Sequence, residues 1–287
     1  MKKGIFLWVV HRVENGDPAK IATILKEANI SRVDVKVANA DKAYYVKRGL
    51  KWFKNVTRDW VRTMQGLGIK VWGWGFVYGN KPEGEGMIGA QQVAELGLDG
   101  YIFDAEGALE NQDNCANVAY RIAKRFKDNA PGVPSALTSW SLWKNPWTGS
   151  TWHNHNMAIP FMDALDYAMP MDYWWNGHAK LWLEKSIEQW RTLVTDKPII
   201  PAGRAYSGEG LGIIDPAEIK IFGERLRELE MPGESWWELA LALKVAPVWQ
   251  VIKDLPPING NGTPPPINQI EVTEEEEKAL RSLVAKL

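Results

Sequence analysis

Two carboxylates stand two residues apart in the segment Asp99-Gly100-Tyr101-Ile102-Phe103-Asp104-Ala105-Glu106. In an extended strand, residues i and i+2 share a face, so Asp104 and Glu106 point into one space. Like charges held that close do not both ionise freely. One keeps its proton, and a carboxyl protonated near neutral pH is a proton donor. A strand-end pair of this kind can also bind backbone amides or a neighbouring arginine. A third acid, Asp172, closes the run Tyr167-Ala168-Met169-Pro170-Met171, with Tyr173, Trp174 and Trp175 after it. The phenol offers a hydrogen bond and the tryptophans offer a stacking wall; a turn aspartate beside core aromatics reads equally well. A proton donor beside a second carboxylate and flat rings is the equipment for cleaving a glycosidic bond.

The aromatic inventory points the same way. The chain has 16 tryptophans, many beside Gly, Asn, Pro or His, which is more than core packing readily uses. Candidate sugar platforms are Trp8, Trp74, Trp140, Trp174 and Trp237. In Val71-Trp72-Gly73-Trp74-Gly75-Phe76, the three aromatic residues share one face and the glycines the other, which suits core packing as well as binding. Of the neighbours Trp236 and Trp237 one must face the core, with Trp237 assigned to the floor of the site and Glu238 beside it. Arg204 is a candidate carboxylate clamp, and His11 could face the same mouth. His153 and His155 resemble a metal pair but lack a clear third ligand, so no metal and no cofactor is expected. The single cysteine, Cys115, excludes a disulfide framework.

These groups need a scaffold. Eight short apolar segments recur: Gly4–Val10, Arg32–Ala38, Lys70–Val77, Gly100–Glu106, Pro134–Ser141, Asp166–Tyr173, Pro198–Ala205 and Gly233–Leu239. Many are apolar almost throughout, as strands covered on both faces are. Helical patterns lie between most of them: Pro18–Ile30, capped by Asp17, then Thr57–Leu67, Gly86–Leu98, Asp113–Asn129, Lys180–Thr195, and Pro216–Leu229, capped by Asp215. Alternation of strand and helix predicts a parallel sheet, and eight units predict a single α/β (β/α)8 TIM barrel over residues 1–255. An open doubly wound sheet is the fallback, disfavoured because no glycine-rich phosphate turn follows a strand. Leu142–Asp163 reads as a long loop on the barrel mouth, where long loops usually serve binding. Residues 256–272 form a Pro/Gly/Asn-rich linker, and 273–287 form a C-terminal helix opened by a Thr273/Glu276 capping box. That helix could pack on the barrel, meet a partner, or lead into a further domain.

The residues resemble the chitinase-type glycoside hydrolases of family 18. Asp99-Gly100-x-x-x-Asp104-x-Glu106 is similar to the family's fourth-strand signature, Met169-x-Met171-Asp172 to its sixth-strand motif, and Gly233-x-x-x-Trp237-Glu238 to its eighth-strand tryptophan motif. The motifs come in family order and span most of the barrel. The resemblance implies that Glu106 protonates the glycosidic oxygen. It implies that Asp104 orients an N-acetyl group of the substrate, which attacks the anomeric carbon, that Asp172 supports that group, and that Trp237 floors the sugar. Two positions depart: Ile102 replaces the first interior acid, and Met171 stands where the family has a tyrosine. Direct use of a second carboxylate is therefore the alternative mechanism. The muramidase-type lysozymes also carry Asp-x-Glu on a strand, but Val9-Val10-His11-Arg12 lacks the acid expected of them.

Charge narrows the partners. A formal net charge of -1 with mixed signs gives no footprint for nucleic acid and no polybasic membrane patch. The opening Met1-Lys2-Lys3-Gly4-Ile5-Phe6-Leu7 imitates a signal peptide, but His11, Arg12 and Glu14 break the run and no small-residue cleavage site follows. The expectation is a glycosidase acting on a β-linked polysaccharide, chitin or peptidoglycan in type, outside the cytoplasm or during phage release. The alternatives are a barrel that binds sugar without cleaving it, and a structural domain of a larger surface or phage protein.

Overall fold

The computed structural model describes residues 2–145, 148–174, 177–194, 196–208 and 210–258. Most of the expected linker and all of the expected C-terminal helix lie outside the described residues, as does Trp175.

Eight parallel strands pair in chain order: β1 (Gly4–Leu7), β2 (Arg32–Asn39), β3 (Lys70–Val77), β4 (Gly100–Ala105), β5 (Ser135–Trp140), β6 (Tyr167–Asp172), β7 (Ala202–Arg204) and β8 (Ser235–Trp237). A single bridge, Lys3 to Glu234, brings β8 back to β1, with the Gly4 N–H donating to the Glu234 carbonyl at 2.9 Å. The wall is the (β/α)8 barrel expected from the alternation of segments. Helices α1 (Pro18–Glu27), α2 (Arg58–Gly66), α3 (Pro82–Leu96), α4 (Cys115–Asn129), α5 (Ala158–Ala164), α6 (Ala179–Leu193), α7 (Pro216–Glu228) and α8 (Ala246–Asp254) follow in turn. The caps read from sequence form: Asp17 accepts from Ala19 and Lys20 N–H at 2.9 and 3.2 Å, and Asp215 from Ala217 N–H at 2.8 Å.

The strand period of two sorts the apolar residues into two separate cores. Val33, Val35 and Val37 of β2, Tyr101 and Phe103 of β4 and Trp236 of β8 face outward into the layer between sheet and helices. Phe6, Trp72, Trp74, Ile102, Ala136 and Met169 face inward and fill the barrel, with Trp237 packed on them. Glycines make room for the largest rings. A methyl on Gly100 would overlap the Trp72 indole, and one on Gly75 would run into the Tyr101 hydroxyl and stand 2.9 Å from Ala38 Cβ.

Three features differ from expectation. β7 and β8 are shorter than Pro198–Ala205 and Gly233–Leu239, and Pro198 and Pro201 explain part of it, having no N–H for the ladder. The loop after β5 carries a Lys144–Thr151 bridge and ends in α5, which buries Ala158, Phe161 and Met162. An antiparallel hairpin, Tyr45–Arg48 with Lys51–Lys54, rises after β2, turning at Gly49 with φ +59.

Candidate active site

At the C-terminal ends of the strands the barrel opens into a cavity of about 900 Å³, the size of a site that encloses a small ligand. Along β4 the inward positions read Ile102, Asp104 and then Glu106, which caps the short helix Gly107–Glu110. Asp104 is 6% exposed, and its Oδ1 has no hydrogen-bond partner. Burial, then the neighbouring Glu106 charge, holds the Asp104 carboxyl well above the usual carboxylate range, and a hydrogen bond links it to Glu106. The i, i+2 spacing thus brings the two acids together, and Asp104 is the one driven toward its protonated form.

Facing them from β2 is Lys36, 5% exposed and lining the cavity. A β-bulge follows it in the ladder with β3. Its ammonium sits 4.5 Å from the Trp74 ring centre, 5.0 Å from Tyr44 and 5.1 Å from Trp8. Burial lowers it to about 8, opposed by the charges of Asp104 and Glu106.

Two aromatic walls flank these charges. The first combines Trp237 with Phe6 at 5.3 Å, Trp74 at 5.4 Å and Trp8 at 6.0 Å. Trp8 is tied by its Nε1–H to the Tyr44 hydroxyl at 3.1 Å. The Trp237–Glu238 peptide is cis, and the buried Glu238 carboxyl turns away toward the Trp8 N–H. The second wall is built by the long loop. Trp140 and His153 stack at 4.2 Å, 13° from parallel. Glu110 holds both, accepting from Trp140 Nε1–H at 3.0 Å, meeting His153 Nδ1 at 3.1 Å, and accepting the Asn154 N–H at 2.7 Å. Trp152 stacks with Trp182 of α6, whose Nε1–H donates to Ser141 Oγ at 2.9 Å.

Of the residues expected in the site, Asp104, Glu106, Trp8, Trp74, Trp140, Tyr173 and Trp237 line this one cavity. Three do not. Met171 faces in, so Asp172 faces out; it is fully buried against Ser186 of α6, where burial raises its carboxyl. Trp174 is fully buried and stacks on Phe222 of α7 at 4.9 Å. Arg204, at the end of β7, is fully buried with its Nη1–H given to the carbonyl of Leu211, a cavity-lining residue, at 2.9 Å, and does not itself line the cavity. His11 falls in a 3-10 turn off the cavity lining. Lys36, Trp152, His153 and Trp182 also line the cavity, although the sequence reading assigns none of them to a sugar site. Lys36 had a visible signal: Val33-Asp34-Val35-Lys36-Val37 alternates, which puts Lys36 opposite the apolar face.

A chitinase from Bacteroides thetaiotaomicron is similar in structure over 91% of this chain and 97% of its own, with a TM-score of 0.63 and 12% identity. The chain has the fold of known glycosidases. The Bacillus megaterium QM B1551 spore cortex-lytic enzyme SleL matches over 88% of this chain and 73% of its own, at TM-score 0.61 and 10% identity. The endo-1,4-beta-mannanase of Rhizomucor miehei matches over 83% and 85%, at TM-score 0.56 and 9% identity. No protein-family model matches the sequence, and the sequence comparison with curated proteins finds no match.

The arrangement supplies a carboxyl at Asp104 held toward its protonated form beside Glu106, a cation opposite, and ring faces on both sides. Flat apolar faces can take up the C–H faces of sugar rings, and a protonated carboxyl in such a cavity can act as a proton donor.

Proposed function

We propose that the protein is a glycoside hydrolase that cleaves a β-linked polysaccharide, with Glu106 as the general acid. The observation that carries this reading is the hydrogen-bonded Asp104–Glu106 pair set in a cavity with an aromatic wall on either side. Glu106 directly follows the strand and is partly exposed, whereas Asp104 is buried. Glu106 protonates the leaving oxygen. Asp104 stores the proton, keeps Glu106 aimed, and takes charge as the bond breaks. The attacking group is a water or an acetamido oxygen of the substrate. The fold neighbours include a chitinase, a spore cortex-lytic enzyme and a mannanase, which makes chitin oligomers, glycan strands of peptidoglycan and β-mannan the panel to assay.

The test is release of reducing ends from that panel, wild type beside Glu106→Gln. Loss of a general acid lowers kcat by about 10²–10⁴ while leaving binding near its wild-type value. A Glu106→Gln variant that hydrolyses at the wild-type rate refutes the assignment. Ile102 beneath Asp104 and Met171 on the lining favour a second reading, a barrel that binds sugar without cleaving it. Tight binding by a wild-type protein that releases no reducing ends selects that reading.

A further inference from the structure

Lys36 lines the cavity from β2. Among the described residues, its side chain makes no hydrogen bond and no ion pair. Rings of Trp8, Tyr44 and Trp74 surround it at 4.5–5.1 Å, and the nearest countercharges, Asp104 and Glu106, are hydrogen-bonded to each other. A cation taken out of water needs acceptors as well as ring faces. A group that enters the cavity can supply that acceptor. A sugar hydroxyl offers a neutral oxygen, whereas a carboxylate offers charge and two oxygens, making the stronger charge-assisted bond.

A second observation extends this outward. Tyr44, which touches Lys36, leads directly into the hairpin Tyr45–Lys54. That segment carries Lys47, Arg48, Lys51 and Lys54 and no acidic residue, in a chain whose net charge is -1. Lys54 pairs with Glu95 of α3, and the other three cations are exposed. Lys47 lies directly opposite Trp52, which is 65% exposed, so cation and ring are displayed together on the arm.

We propose that the ligand is an acidic polysaccharide: Lys36 pairs with a sugar carboxylate inside the cavity, and the hairpin cations meet further carboxylates of the same chain outside. This rests on the reading of the cavity as a sugar site. Two sources carry the required group: a lactyl ether carboxylate, as on muramic acid, or the ring carboxylate of a uronic acid.

The experiment is calorimetric binding to the full chain. The probes are peptide-free glycan strands of N-acetylglucosamine and N-acetylmuramic acid, β-linked oligomannuronate, and each of these after reduction of its carboxylates to alcohols. Wild type is expected to bind one of the acidic probes about tenfold or more tighter than its reduced form, the worth of a charged hydrogen bond. Lys36→Met is expected to erase that preference, and Lys36→Arg to keep it. The exposed triple variant Lys47→Gln, Arg48→Gln, Lys51→Gln is expected to weaken binding of long acidic strands and to leave disaccharides unaffected. Equal affinity of wild type for acidic and reduced probes overturns the proposal and leaves the sugar site standing. So does a preference that survives Lys36→Met. Failure of every probe to bind overturns the sugar site itself. An unchanged triple variant overturns the role of the hairpin.

Discussion

Lys36→Met should strengthen the fold even as it removes a cation from the site. The ammonium falls from its ordinary 10.5 to about 8 on folding, because it is held among rings rather than in water. At about 1.4 kcal/mol per tenfold, holding it charged at pH 7 costs roughly 3 kcal/mol. The Trp74 face at 4.5 Å returns about 1 kcal/mol of this. Methionine is unbranched, similar in length and makes favourable sulfur–ring contacts, so it fills the same cage. The expected net gain is about 2 kcal/mol at pH 7. The pH dependence has a definite sign. Between about 8 and 10.5 the unfolded chain still binds the Lys36 proton and the folded chain has released it. Wild-type stability from this residue therefore rises across that window, and the advantage of the variant shrinks. Urea denaturation of both proteins at pH 7 and pH 10 measures it. A variant less stable than wild type at pH 7, or an advantage equal at both pH values, refutes the reasoning.

Other substitutions probe the surrounding structure. Glu110→Gln keeps the shape but loses the charge that Trp140 and His153 share, so KM on oligosaccharides should rise about three- to tenfold with little change in kcat, as steady-state kinetics will show. Gly75→Ala drives a methyl into Tyr101, whose ring is stacked on Phe126 and cannot retreat, so the fold should lose about 1–3 kcal/mol by chemical denaturation. Asp172→Asn should leave hydrolysis unchanged, because the side chain faces α6 rather than the cavity. The raised Asp172 carboxyl contributes stability at low pH that is lost as pH rises toward its folded value. The amide cannot titrate, so the Asp172→Asn variant should lose that slope, and its denaturation midpoints should flatten as pH rises above the ordinary carboxylate value of about 4.

Much of the scaffold was legible because strand, helix and cap signals agree with one another. Asp17, Pro18 and Asp215 start helices where the residues say they should, and Tyr101 and Phe103 leave Asp104 and Glu106 only the inner face. Asp172 and Trp174 miss the cavity for one cause. Strand phase is invisible where both faces are apolar, and a slip of one residue turns a side chain from the cavity to the helix layer. Met169-Pro170-Met171-Asp172 has no polar alternation to mark its inner face. Arg204 keeps the inner phase of Ala202 and Trp237 and is instead buried with its Nη1–H on the Leu211 carbonyl, a contact seven residues on that the strand pattern does not reveal. The second aromatic wall was illegible for another reason. His153 and Trp152 come from an irregular loop, and Trp182 from a helix more than forty positions beyond Trp140 in the chain, so only tertiary packing joins them. Glu110 gives no local hint that it anchors two rings.

The bridge between Lys3 and Glu234 makes the barrel a cylinder with a seam. Side chains stitch that seam. The buried Lys3 ammonium gives hydrogen bonds to the Ile252 and Leu255 carbonyls at the end of α8, and Arg227 grips Glu234 at 2.9 and 3.0 Å while also donating to the Pro256 carbonyl. The first strand, the last strand and the last helix are thus clasped at one point, diametrically across the wall from β4 and β5. The acids of β4 ride on long, fully paired strands, whereas Trp237 rides on the short strand beside the seam. The two sides of the cavity therefore differ in mechanical stiffness: the wall that carries Asp104 is held on both edges, and any give in the cylinder is delivered to Trp237.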